Sequence, residues 1–298
     1  AQTWVTNGLV AYYPLNNNAA DASGYGNNGT VSSGVFTTNR FGGALSAYSV
    51  SQLTDMISTP ITATSVRQYT ISGWFKTSLG GAIVGNNALG LHFKLTVMTL
   101  ETGGAPAVGN VMWGIQGAPG ISIIQQTTNS YADNRWHHVV GVFDAPSGTL
   151  TSSQFYIYLD GVRITNNATS DFNPPSLPFT AAGTARIGSD ANWATYNGGS
   201  VSRIALDDLR FYNRVLSANE VSQLYALESA SIISIQKAVY LTSSNLLAGT
   251  NYQLQASTDF LNWTNQGAAF TATTNYWRST NYWDVANWNQ LYFRFQQQ

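Results

Sequence analysis

The stretch Ala205–Ser217 joins an alternating strand to a turn and then to the start of a short helix, and the rest of the chain reads as a sheet that this strand completes. A period of two places Leu206, Asp208, Arg210 and Tyr212 on one face and Ala205, Asp207, Leu209 and Phe211 on the other. One carboxylate, Asp207, is therefore expected on the apolar side. A buried, unpaired carboxylate is costly, so Asp207 calls for an ion pair, hydrogen bonds or a metal, while Asp208 faces the other way. Ser217 caps the helix expected over Ala218–Ala226, and Glu220 completes a Ser-x-x-Glu capping box.

Strand-like runs precede it at short intervals: Ala44–Tyr48, Tyr69–Lys76, Gly81–Val84, Gly90–Val97, Val111–Ile115, Ile121–Gln125, Trp136–Asp144, Gln154–Leu159, Val162–Thr165 and Ala185–Ile187. Turns rich in Gly, Asn and Ser separate them, a pattern that predicts an antiparallel sandwich or jelly roll. Asp160-Gly161, set between two such runs, is the signature of a type I′ hairpin. With 298 residues, 44% hydrophobic and 13% aromatic, the chain has the material for one large core or two smaller ones.

Only 9% of residues are charged and the formal net charge is −1, so no electrostatic surface favours phosphate backbones or acidic lipid. Nucleic acid and membrane insertion are poor expectations, the latter also because no apolar run reaches the roughly 20 residues that span a bilayer. Cysteine is absent, which excludes disulfides and thiolate metal sites. Polarity comes from Asn, Gln, Ser and Thr, which suits hydrogen bonding to neutral partners. An extracellular setting is expected, with any signal peptide already removed ahead of Ala1-Gln2.

Asp21–Thr30 is a loop of oxygen-bearing side chains punctuated by three glycines. Such a loop suits either an ordinary turn or a hard cation wanting roughly six to eight oxygen ligands. Here the residues resemble a known family. Leu9–Leu15, the Asp21-x-Ser23-Gly24-x-Gly26-Asn27-x-Gly29 loop, Trp136-His137-His138-Val139, Leu159-Asp160-Gly161, Ile187-Gly188 and Asp207–Ser217 together resemble the laminin-G-like, concanavalin A-like jelly roll domain of secreted bacterial proteins. The resemblance implies an all-β fold of two stacked sheets over residues 8–228, with the first strand near the last and the 21–30 loop against Asp207. A structural calcium is common there in similar domains; Asp21, Gly24, Asn27, Asn28 and Asp207 are the implied ligands. A hydrogen-bonded knot around Asp207 is the alternative.

Residues 1–7 read as an N-terminal arm and residues 229–298 as a small aromatic-rich β-domain, with strands expected over Ser231–Thr242, Asn251–Ser257 and Leu291–Phe295. That segment resembles small C-terminal β-modules of secreted multidomain bacterial proteins. It carries the micro-repeat Asn275-Tyr276-Trp277 and Asn281-Tyr282-Trp283, with Trp288 nearby.

Catalysis is weakly supplied. The jelly roll hosts glycosidases, which need two carboxylates in one cleft, yet Glu101, Glu220 and Glu228 are the only glutamates and share no strand face. His137 and His138 are adjacent on a strand and point to opposite faces. Binding has more support. Sugar recognition stacks an aromatic ring on a pyranose and rings it with polar side chains. The loop Ser189–Gly199 offers Trp193 and Tyr196 as stacking residues with Asp190 and Asn192 as polar partners; Trp113 and Tyr131 are further candidates. The expectation is a non-catalytic, lectin-like module binding polysaccharide or a glycosylated surface, in adhesion or attachment. The alternative is a self-associating subunit of an extracellular filament or surface layer, making contacts through the N-terminal arm and through Trp277, Trp283 and Trp288.

Overall fold

Alternation along the strands builds two antiparallel sheets in the computed structural model, which describes residues 3–87, 90–98, 109–117, 120–190, 202–229, 238–279, 283–284 and 291–298. The strands of the larger part are β1 (Leu9–Tyr13), β2 (Thr30–Ser33), β3 (Val35–Thr37), β4 (Ala47–Val50), β5 (Met56–Ser58), β6 (Gln68–Asn86), β7 (His92–Val97), β8 (Asn110–Gly117), β9 (Ile121–Ser130), β10 (Trp136–Asp144), β11 (Phe155–Leu159), β12 (Val162–Ile164), β13 (Asn167–Phe172), β14 (Ala185–Ile187) and β15 (Arg203–Tyr212). The first sheet runs β12-β11-β10-β6-β15; β1 pairs with the second half of β15, β4 with its first half, and β3 with β4. The second runs β13-β9-β8-β7-β6-β14-β5-β2.

Strand β6 belongs to both sheets. Residues Gln68–Lys76 pair with β10 and residues from Gly81 onward pair with β7, so the two strands expected at Tyr69–Lys76 and Gly81–Val84 are one bent strand. The bend falls at Gly80, whose φ is +98° and where a Cβ would lie 2.6 Å from the Met98 carbonyl oxygen. Both the dihedral and the close approach call for glycine.

Between the sheets lies the main core. Trp113 is fully buried, stacks on Phe93 at 5.2 Å and donates its indole N–H to the Val142 carbonyl at 2.9 Å. It is an interior residue, not a sugar-stacking one. Its ring rests on Gly141, where a Cβ would come within 2.6 Å of the indole.

A second core covers the other face of the first sheet. The helix Ala218–Ser229 lays Val221 and Leu224 on Val140, Val142, Tyr158 and Tyr212. Its start follows the expectation: Glu220 N donates to Ser217 Oγ at 3.3 Å and Ser217 N to Glu220 Oε2 at 2.8 Å. Asp160 and Gly161 both have positive φ, 49° and 79°, as a type I′ hairpin requires. Residues 3–7 are not a free arm. Trp4 packs into this second core, and Arg214 donates to the carbonyls of Trp4 and Asn7.

The face assignment along β15 differs from simple alternation. Asp208 sits at φ +50° in a bulge that shifts the register with β6 between Asp207 and Arg210. A bulge adds one residue to one strand and resets its alternation. Leu206, Leu209 and Phe211 therefore all reach the core between the sheets, and Asp207 and Arg210 share the outer face under the helix.

Contacts divide the chain into two units, Ala1–Ser231 and Ile232–Gln298. The smaller unit is built on Asn251–Ser257, paired with Tyr292–Gln297 along one edge and with the short strands Thr264–Asn265 and Phe270–Thr271. Its core gathers Leu246, Tyr252 and Ala272 with Phe270, Trp277 and Phe295. Trp277 stacks on Phe270 at 5.5 Å and meets Phe295 edge-on at 5.0 Å. Trp277, expected as an assembly contact, is half-buried in this core. The backbone of Trp283 pairs with Val239; the Trp283 side chain and all of Trp288 lie outside the described residues.

Candidate functional site

Of the loop expected to bind sugar, Asn192, Trp193 and Tyr196 lie outside the described residues. Asp190 is described, and it is buried. Its Oδ2 lies 2.7 Å from His92 Nε2, while His92 Nδ1 donates to the Gly90 carbonyl at 2.7 Å. Asp190 also lies over Gly85, where a Cβ would stand 2.5 Å from its carboxylate. Two positions along the same face of β7, Lys94 is buried as well; burial lowers its ammonium pKa and Asp190 pushes it back up. The carboxylate at 190 is thus engaged inside the protein.

The implied calcium ligands do not converge. Asp207 pairs with Arg40, whose second nitrogen reaches Asp208 Oδ2 at 2.7 Å, so the bulge brings both aspartates to one guanidinium. Asp21, not Asp207, organises the glycine loop. Its Oδ1 accepts from Tyr12 N and Ser23 N, and its Oδ2 accepts from Ser23 Oγ and Asn27 N, at 2.8–2.9 Å. Asn28 Oδ1 accepts from Asp21 N, and the Asn27 carbonyl accepts from Tyr13 Oη. A carboxylate has about four lone-pair positions, and all are taken by donors. Gly24 has open space around its Cα and φ +91°, as a turn requires. Among the described residues no group of three His, Cys, Asp or Glu is placed to hold a metal. This donor set fits a hydrogen-bonded loop and does not fit a calcium cage.

The outer face of the first sheet carries two successive rows of side chains on the same strands. One row holds His138, Trp74 and Asp207. Around it Trp74 Nε1 donates to Glu228 Oε2 at 2.8 Å, Arg210 pairs with Glu228, and Arg40 donates through Nε to the Glu228 carbonyl at 3.0 Å. Three carboxylates face two guanidiniums. Burial, then the Asp208 charge, push the Asp207 carboxyl up to about 7 against the pull of Arg40. Burial, with Arg210 and Arg40 nearby, brings His138 down to about 3, so its imidazole is neutral. This row locks the last turn of the helix onto the sheet. Both described glutamates serve that helix: Glu220 at its start with Arg214, Glu228 at its end.

In the next row the register runs Trp136, Lys76, Ala205, Ser49 across β10, β6, β15 and β4. It forms the floor of a polar groove of about 540 Å³, bounded also by Thr37, Thr38, Ser78, Asn134 and Arg203. Ala205, with its small side chain, lies between Lys76 and Ser49. The turn leading to Trp136 is pinned to β6 by Asn134 N donating to the Thr77 carbonyl at 2.8 Å. Thr77 Oγ1 in turn donates to the Arg203 carbonyl at 2.6 Å, which fixes the start of β15. Trp136 is half-buried, and among the described residues its N–H makes no hydrogen bond and its ring no aromatic or cation–π contact.

Sequence reasoning singled out Trp136 only as part of a motif and left out Lys76, Arg203 and Ser49. Period-two phasing places Lys76 opposite to Phe75 on β6; the missing information is which residues of four distant strands stand side by side.

Two antiparallel sheets joined as a jelly roll place the larger unit in the concanavalin A-like class of β-sandwich. The sequence profile of the Concanavalin A-like lectin/glucanases superfamily matches residues 51–222, more than half of the chain, and the chain belongs to that superfamily in its laminin-G-like form. Among curated proteins none matches the sequence. Solved structures with the same fold include the binding domain of Paraclostridial Mosquitocidal Protein 1, with a TM-score of 0.52 and 16% identity over 86% of this chain and 62% of that one. Others are the receptor binding domain of botulinum neurotoxin C/D mosaic serotype (TM-score 0.50, 12% identity, 84% of this chain and 57% of that one) and the botulinum neurotoxin serotype D ligand binding domain in complex with N-acetylneuraminic acid (TM-score 0.50, 13% identity, 84% and 57%). This chain thus spans about three-fifths of the length of each.

Proposed function

We propose that the protein is a non-catalytic carbohydrate-binding module whose site is the groove of the first sheet. The observation that carries this reading is the row Trp136, Lys76, Ala205, Ser49: an aromatic ring beside a shallow floor, edged by hydroxyl and amide groups. Thr37, Thr38, Ser49, Ser78 and Asn134 make no side-chain hydrogen bond among the described residues, so their donors and acceptors are open to a polyhydroxylated ligand. The superfamily's lectin-like fold and a structural neighbour crystallised with N-acetylneuraminic acid support the class of ligand. A binding rather than hydrolytic role is supported by Glu220 and Glu228, which are committed to the helix, and by a groove whose described lining has no carboxylate. An extracellular setting, in attachment to a polysaccharide or a glycosylated surface, goes with this reading. Trp193 and Tyr196, with Asn192, stand as a second proposed stacking position.

Glycan-array binding tests both positions. Trp136→Ala is expected to lose about tenfold or more in affinity, since a stacked ring contributes about 0.5–1.5 kcal/mol on top of the apolar area it buries. Unchanged binding in Trp136→Ala with loss in Trp193→Ala would move the site to the loop. Unchanged binding in both variants would remove the reading.

A further inference from the structure

Guanidiniums of the larger unit are mostly engaged in holding the fold: Arg40 with Asp207 and Asp208, Arg210 with Glu228, Arg214 with Glu220. The two cations of the groove are not. Neither Lys76 nor Arg203 makes a side-chain hydrogen bond, ion pair or ring contact among the described residues, and no carboxylate is among the described residues lining the groove. Lys76 stands directly between Trp136 and Ala205 on the floor, and Arg203 lies on β15 close to Ala205. A chain with only 13 Lys and Arg residues places two of them, without a counter-charge, beside an open indole and a set of free hydroxyls.

Resting on the carbohydrate reading above, we infer that the groove selects an acidic saccharide, a sugar unit bearing a carboxylate or sulfate. The ring stacks on Trp136 and its anionic group lies over Ala205 between Lys76 and Arg203. Arg203 supplies a planar fork that matches a carboxylate or sulfate with two parallel N–H donors, and Lys76 supplies a compact charge on a flexible stem. Ser49 and Asn134 take ring hydroxyls on either side. The formal net charge of −1 leaves this pair as a local feature, so selectivity belongs to the groove and not to a general basic surface.

The test is isothermal titration of the full chain with three oligosaccharides of equal length: a hexuronate oligomer, a sulfated oligomer and the uncharged parent sugar. The acidic oligomers are expected to bind about tenfold or more tightly than the uncharged one, and their advantage shrinks as salt is raised. Lys76→Met and Arg203→Met are expected to abolish that advantage, bringing the acidic oligomers down to the affinity each variant has for the uncharged one, with the melting temperature unchanged. Trp136→Ala, with Trp136→Phe as the milder variant, lowers binding of all three. Preference for one acidic group over the other names the source within the shared chemistry. Equal affinity for charged and uncharged oligomers, reduced by Trp136→Ala, overturns the charge selectivity and leaves the carbohydrate reading standing. Binding that is indifferent to Trp136→Ala overturns the groove as the acidic site, and no binding of any oligomer overturns both.

Discussion

A single residue, Asp208, decides what the outer face of the sandwich looks like. Its left-handed backbone places an extra residue in β15, so Asp207 turns away from the core and joins Asp208 at Arg40. Period-two reasoning put the two aspartates on opposite faces because nothing in the local sequence marks a non-glycine bulge. The consequence is measurable. Asp207, raised from 3.8 to about 7, holds a proton in the folded state that the unfolded chain has released, so the stability it contributes is present below about pH 4 and lost as pH rises through about 7. His138, lowered from 6.5 to about 3, works in the opposite sense: its contribution is present above pH 6.5 and lost as pH falls. The two offset each other between about pH 4 and 6.5. Asp207→Asn removes the first and exposes the second, so the melting temperature of the variant should fall more steeply on acidification from pH 6.5 to 4 than that of the parent; parallel profiles would contradict the assignment. At Gly141 the account predicts that Ala destabilises by about 1–3 kcal/mol in denaturant titration, because a methyl there overlaps the Trp113 indole.

At the scale of elements, the parts set by near neighbours were legible in advance. The capping box at Ser217, the Asp160-Gly161 hairpin and the alternation of β10 are each specified within a few residues, and each stands where expected. Strands β2, β3, β5 and β13 were missed. Their side chains are largely exposed or half-buried, and the hydrophobic periodicity that signals a strand is weak where burial is slight. The groove was not legible for a different reason. Trp136, Lys76, Ala205 and Ser49 meet through the register of four strands separated by up to 156 positions, and pairing over such distances leaves no local mark. The 21–30 loop shows the limit of reading composition. The Asp21 carboxylate in the loop that resembled a cation cage is occupied by three backbone amides and the Ser23 hydroxyl, so chelation should leave the melting temperature unchanged; a fall of several degrees would show that a bound cation supports the loop.

On the scale of the whole molecule, helix and groove divide one sheet face between them. The helix Ala218–Ser229 covers the rows from Val142 to His138, the ionic row at Glu228 fixes where it stops, and the row at Trp136 beyond it carries the open polar groove. Glu228→Gln should therefore loosen the helix end, lowering the melting temperature by several degrees, while leaving oligosaccharide affinity within about twofold, because the groove is built on strand register and not on the helix. The central claim is that a saccharide occupies that groove, and a crystal structure of the protein with an oligosaccharide selected by array binding tests it most directly. The account predicts a sugar ring stacked on Trp136 with an acidic substituent between Lys76 and Arg203; a saccharide bound elsewhere, with the Trp136 ring untouched, would contradict it.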